Sequence, residues 1–168
     1  MKCLPRKDVP ISTMTDAQME FIGELGVLFE SSGAQAVNGR IYGALLVSHE
    51  IELTAEELAT TLHASRGAIS QGTRQLVDMG LLRRTHKPGM RKDFFQLTPD
   101  GLVEATRLRI ANISSIKHLF ERGLNALEDA SPQARASLKE NLEFLEYWDE
   151  FMVEFFNGWK ERKKHDNG

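Results

Sequence analysis

The chain has 168 residues, 27 % of them charged, a formal net charge of −3 and one cysteine. Its length suits one domain with a real core, and Leu, Ile, Val and Phe abound while strand-like runs are few, as in a mostly helical soluble protein. No apolar run approaches the ~20 residues that span a bilayer, and the lone Cys3 excludes an intrachain disulfide and a thiolate zinc site.

Residues 1–12 read as an irregular arm. Lys2, Arg6 and Lys7 are interrupted by Pro5, Asp8 and Pro10 in a pattern that fits no signal peptide, so the cytoplasm is the expected compartment. Cys3 sits in this arm with no resolving partner, which argues against a redox switch. Thr15 with Gln18 forms a capping-box pattern that opens a helix to about Ser31. Its stripe, Phe21, Ile22, Leu25, Leu28 and Phe29, needs a partner, either the body of the domain or a second subunit. Ala34 to His49 is the next helix, with Val37, Ile41, Leu45 and Leu46 inward and Gly39 and Gly43 spaced for close packing. Tyr42 reads first as a core or hinge residue and second as a ligand contact.

From Leu53 to Leu97 nearly every position fits one geometry. Thr54 and Glu57 form a second capping box, and the helix Ala55 to Leu62 turns Leu58 and Leu62 inward and Glu56 and Glu57 to water. His63-Ala64 is a turn. Ser65 is then an N-cap for a helix running to Met79 and stopped by Gly80. Ile69, Thr73, Leu76 and Val77 form its inward face, while Ser65, Arg66, Ala68, Ser70, Gln71 and Arg74 face outward without a carboxylate among them. Such a face can approach a polyanion closely, and Arg and Gln suit bidentate contacts to base edges. Gly67 and Gly72 each cost this helix about 1 kcal/mol against Ala, which suggests that Gly67 at least permits a close approach.

Leu81 to His86 and Asp93 to Leu97 are two short strands, joined by Lys87-Pro88-Gly89-Met90-Arg91-Lys92 with its Pro-Gly turn. The hairpin is a basic wing. From His63 to Lys92 seven Lys/Arg stand against one acid, Asp78, a net of +6, so the rest of the chain carries −9. That asymmetry points to a nucleic-acid partner where the overall charge does not. His86 reads as a phosphate contact or a solvent-exposed wing residue.

Thr98-Pro99-Asp100-Gly101 starts a long helix, with Thr98 as cap and Pro99 at the first helical position, that runs to about Leu127. Leu102, Ala105, Leu108, Ile113, Ile116, Leu119, Phe120 and Leu124 place apolar groups on more than one side. Ser131-Pro132 opens the last helix, to about Lys163, with a stripe of Leu138, Leu142, Leu145, Trp148, Phe151, Met152, Phe155 and Trp159, flanked by Tyr147 and Phe156. Lys160, Arg162, Lys163 and Lys164 close it and complement the helix dipole. Two long helices cannot hide this much apolar surface on one small domain. A two-fold homodimer would, and it would set two recognition helices about one DNA turn, ~34 Å, apart.

The run Ser65-Arg66-Gly67, with Gly80-Leu81-Leu82, Lys87-Pro88-Gly89-Met90-Arg91-Lys92 and Leu97-Thr98-Pro99-Asp100-Gly101, resembles the winged helix of MarR-type bacterial transcription regulators, most of all the GbsR branch. The resemblance is specific over residues 34–101. It departs at Gly89, where many members carry an Asp that braces the wing Arg. It implies a mainly α fold: a winged helix-turn-helix with a two-stranded wing, plus N- and C-terminal dimerisation helices. The expected division is 1–33 for the arm and packing helix, 34–101 for DNA binding and 102–168 for dimerisation. It also implies a small-molecule effector, choline-like in some members. Tyr147, Trp148 and Phe151, with Tyr42, could supply aromatic faces for an organic cation, in a site expected between the DNA-binding lobe and the dimer helices. Dimer core is the blander reading of the same residues.

The expected function is a homodimeric regulator, a repressor, on a palindromic double-stranded DNA operator. Arg66, Ser70, Gln71 and Arg74 would sit in the major groove, with Ser65, Gly67 and Ala68 also at the DNA. Arg91 and Lys92 would reach the adjacent minor groove or its phosphates, and Arg83, Arg84 and Lys87 the DNA backbone. The alternatives are a winged helix serving only as a protein-interaction module, and a ligand-binding protein with no DNA affinity. An acid-free outward face argues against the first, and the +6 segment against the second. His49, His63, His86, His118 and His165 are scattered outside any catalytic motif, and no phosphate loop is present, so neither an enzyme nor a metal site or cofactor is expected.

Overall fold

The computed structural model describes residues 14–126 and 131–166; the arm with Cys3, the expected helix end at Leu127 and the side chain of Ile113 lie outside the described residues. The elements are α1 (Asp16–Ser31), α2 (Ala36–Val47), β1 (Glu52–Thr54), α3 (Ala55–Leu62), α4 (Arg66–Asp78), β2 (Leu82–His86), β3 (Asp93–Leu97), α5 (Gly101–Ala126) and α6 (Pro132–Asp166). The chain divides into two compact units, Met1–Ala105 and Thr106–Gly168.

In the first unit the capping boxes form as expected: Thr15 accepts the Gln18 amide and Thr54 the Glu57 amide, and each Gln or Glu side chain returns to the cap backbone. The core gathers Ile22, Ile41, Leu45, Leu58, Leu62, Ile69 and Leu76 with Leu82 and Phe95. Close packing follows from missing side chains. A Cβ on Gly39 would lie 2.1 Å from the Leu25 carbonyl oxygen, so α1 and α2 touch backbone to backbone. Two polar bonds tie the helices together: the buried Asn38 Nδ2 donates to Gln75 Oε1 at 2.8 Å, and Arg40 Nη2 donates to the Leu62 carbonyl at 2.7 Å.

The sheet holds one strand more than the two expected. β3 is central, antiparallel to both β1 and β2, with Leu53 opposite Phe95 and His86 opposite Asp93. Two other expectations need correction. Leu46 is 43 % exposed and not inward. Pro99 is not the first residue of α5, because Asp100 takes a left-handed φ of 57° and the helix starts at Gly101. Gly101 itself passes close to the end of α4, where a Cβ would meet the Gly80 carbonyl oxygen at 2.9 Å. Gly72 is the packing glycine of α4, since its Cβ would meet Ile41 Cδ1 at 2.6 Å, while a Cβ on Gly67 would meet nothing nearer than Ser65 Oγ at 4.0 Å.

The second unit comprises the rest of α5 and α6. Leu145 and Met152 are buried, Lys117 lies 3.9 Å from Glu146, and the Arg107 guanidinium stands 4.9 Å from the Phe156 ring centroid. The stripe expected on α6 is two stripes. Leu138, Leu142, Leu145, Met152 and Phe156 are covered, while Phe144, Tyr147, Phe151, Phe155 and Trp159 are exposed.

Candidate nucleic-acid interface

Helix α4 begins where Ser65 Oγ accepts the Ala68 amide at 3.2 Å, after a turn in which His63 caps α3 with a left-handed φ of 49°. The inward residues Ile69, Thr73 and Leu76 are fully or nearly fully buried, with the Thr73 hydroxyl donating to the Ile69 carbonyl at 2.8 Å. This anchoring fixes the rotation of the helix. Ser65, Arg66, Gly67, Ser70, Gln71 and Arg74 therefore all stand in water, and Ala68 is half-buried. Among the described residues neither Arg66 nor Arg74 has an ion-pair partner, so both guanidinium forks are free for a groove.

The wing folds as a type II-like turn: the Met90 amide donates to the Lys87 carbonyl at 3.1 Å, and Gly89 supplies the required positive φ of 78°. Arg91 is exposed and unpaired among the described residues, in keeping with an Asp brace being absent at position 89. The flanks stiffen the hairpin instead. Asp93 takes Arg84 at 2.5 Å across the diagonal and His86 Nδ1 at 2.9 Å directly opposite. Glu52 of β1 pairs with Lys87, whose ammonium also lies 4.4 Å from the Phe94 ring centroid. Lys92 Nζ meets Glu56 Oε2 of α3 at 2.7 Å. That bond and its charge, then Arg66, hold the Glu56 carboxyl below its ordinary range, and the same bond pushes Lys92 up. Of the wing cations, Arg83 and Arg91 are thus the unpaired ones among the described residues.

Between α4 and the wing lies a half-open cavity of about 630 Å³. Ala55 and Glu56 come from α3, Arg66, Ser70, Thr73 and Arg74 from α4, and Arg84, Lys92, Asp93 and Phe95 from the wing side. Five of the residues expected at DNA (Arg66, Ser70, Arg74, Arg84 and Lys92) are brought together here. The three acids Glu56, Asp78 and Asp93 share its wall. Sequence reasoning missed Glu56 and Asp93 as members of the site. The signal was present, since both immediately flank the basic segment or its packing partner.

None of the four aromatic residues considered for a ligand lines this cavity. Tyr42, in the first unit, is half-buried with its ring centroid 6.2 Å from that of Phe29. In the second unit Tyr147 and Phe151 are exposed, and Trp148 is half-buried with its Nε1 hydrogen unpaired among the described residues. Among the described residues there is no cluster of three or more His, Cys, Asp or Glu able to hold a metal, and no helix is long and apolar enough to cross a membrane.

Residues 100–162 match a family model described as MmpR5-like MarR family transcriptional regulator. The chain is 34 % identical to the HTH-type transcriptional regulator MmpR5 of Mycobacterium tuberculosis, over 89 % of this chain and 90 % of that protein. It is 23 % identical to the HTH-type transcriptional repressor OpcR of Bacillus subtilis, over 89 % of each. A crystal structure of a transcriptional regulator superposes with a TM-score of 0.75 at 34 % identity, covering 86 % of this chain and 99 % of that one.

Proposed function

Because the chain belongs to the MarR family of transcriptional regulators, we propose that it is a homodimeric repressor that reads a palindromic operator with α4 and the wing. The observation that carries this is the outward face that α4 and its cap present: six exposed positions from Ser65 to Arg74, two unpaired arginines, and no carboxylate before Asp78 at the far end, on a helix whose rotation is locked by a buried face. Ser65, Arg66, Gly67, Ala68, Ser70, Gln71 and Arg74 supply the major-groove contacts. Arg91 and Lys92 reach the minor groove or its phosphates, and Arg83, Arg84 and Lys87 hold the backbone. In this reading residues 34–101 bind DNA, while 1–33 and 102–168 pack and dimerise. The protein works in the cytoplasm on DNA and carries out no catalysis.

Within the family we place the chain near the GbsR-like members, on Ser65-Arg66-Gly67, Gly80-Leu81-Leu82 and Lys87–Lys92. An organic cation is then the effector class, and of the aromatic residues considered the half-buried Tyr42 and Trp148 lie off the exposed α6 face. Such an effector releases DNA only through unequal affinity for the bound and free forms.

The test is fluorescence anisotropy against duplexes tiling the region upstream of the protein's own gene, at two salt concentrations, with Arg74→Ala as control. One duplex should bind tightly with a steep salt dependence, and the variant should lose the preference. Equal binding to every duplex would leave only an electrostatic binder. No binding at low salt would remove the DNA reading and favour a protein-interaction module.

A further inference from the structure

The DNA-facing surface is more nearly neutral than its own residues suggest, because carboxylates from neighbouring elements are folded into it. Most of these acids brace the hairpin from within: Asp93 sits on β3, and Glu52 on β1 is largely buried beside Thr85 and Lys87. Glu56 is different. It projects from α3 across the cavity mouth to Lys92, and both partners stay open to water, with side-chain exposures of 59 % and 62 %. A pair so exposed contributes little to folding, so stability does not explain its placement. Its setting does: the same wall carries Arg66, Ser70 and Arg74.

Building on the reading that α4 and the wing bind DNA, we propose that Glu56 attenuates sequence-independent DNA affinity, its carboxylate masking Lys92 from any phosphate backbone. A phosphate and a carboxylate compete for the same ammonium on similar terms. If Lys92 turns to DNA, Glu56 is left to recruit a cation from solution; if Lys92 stays, one phosphate goes without its cation. Either way sequence-independent binding is weakened. The cost falls on every duplex alike, so at a given salt concentration a random duplex is released while one whose bases also engage Arg66, Gln71 and Arg74 stays bound.

The experiment is anisotropy of the full chain on a random duplex and on its preferred duplex, across a salt series, for the parent, Glu56→Gln, Lys92→Gln and the double variant. Glu56→Gln should bind the random duplex about two- to fivefold more tightly, the range an exposed pair sets. The plot of log affinity against log salt should steepen by about one unit, and the preferred duplex should gain by a similar factor. In the Lys92→Gln background the same change should have no effect. A Glu56→Gln variant that binds random DNA no better than the parent overturns the proposal, as does an equal gain in the Lys92→Gln background. Failure of the parent to bind any duplex at low salt sinks the DNA reading and this one with it; binding by the parent without a gain in the variant sinks this one alone.

Discussion

At the scale of single residues, two glycines of one helix show what periodicity can and cannot give. Gly67 and Gly72 look alike as helix-weakening residues, but Gly72 falls in the series Ile69, Gly72, Thr73, Leu76 and so lies on the inward face. Its contact with Ile41 was therefore legible in outline; the 2.6 Å approach was not, because it depends on where α2 lies. Gly72→Ala should lower stability by about 1–3 kcal/mol through overpacking, despite the better helix former. Gly67→Ala should raise it by up to about 1 kcal/mol, since its Cβ meets nothing nearer than Ser65 Oγ at 4.0 Å. Urea unfolding of the two variants checks the pair, and equal midpoints would refute the assignment. Tyr42 offers a pH test at the same scale. Burial lifts its phenol above the ordinary 10.0, so the stabilisation is complete below pH 10 and is lost as pH rises through the folded value. The difference in absorbance titration between the parent and Tyr42→Phe should have its midpoint above 10; a midpoint at or below it contradicts a buried phenol.

Among elements, those marked by chemistry at both ends were readable. α3 and α4 carry side-chain caps and left-handed stops, and the wing strands flank a Pro-Gly turn. β1 was not, for a physical reason. It is three residues long, and Thr54 serves both as its last member, opposite Phe94, and as the α3 cap, so the cap signal hides the strand. The consequence reaches the site, because Glu52 on this strand is what restrains Lys87. The count of +6 over residues 63–92 suffers from the same blindness: Glu52, Glu56 and Asp93 lie outside that window in sequence and against it in space. Glu52→Gln should therefore loosen the wing more than the domain. The expected signature is a stability loss of about 1 kcal/mol with faster amide exchange over residues 87–92 and unchanged protection in α4. Uniformly faster exchange across both would mean that Glu52 supports the core rather than the wing.

On the scale of the whole molecule, the apolar surface of α6 decides how the protein is built. From sequence its aromatic and aliphatic residues formed one broad stripe, since a 35-residue helix can carry two faces that a linear count merges. The structure separates them, leaving Phe144, Tyr147, Phe151 and Phe155 between 52 % and 69 % exposed at helical spacing. Contiguous apolar patches of this kind mark interaction surfaces, and under the proposed reading of a palindromic operator the occupant is a second copy. Charge placed in the patch should therefore separate the subunits without unfolding either one, because the covered stripe through Leu145 and Met152 is untouched. Phe151→Glu combined with Phe155→Glu should sediment as a monomer at concentrations where the parent is a dimer. Each half-site would then bind alone, and the loss of linked binding should weaken affinity for the full operator by about 10²–10⁴ while leaving contacts to a half-site in place. A variant that sediments as the parent does would show that this face is not the dimer contact. A monomer that keeps full operator affinity would show that the two recognition helices do not act as a pair.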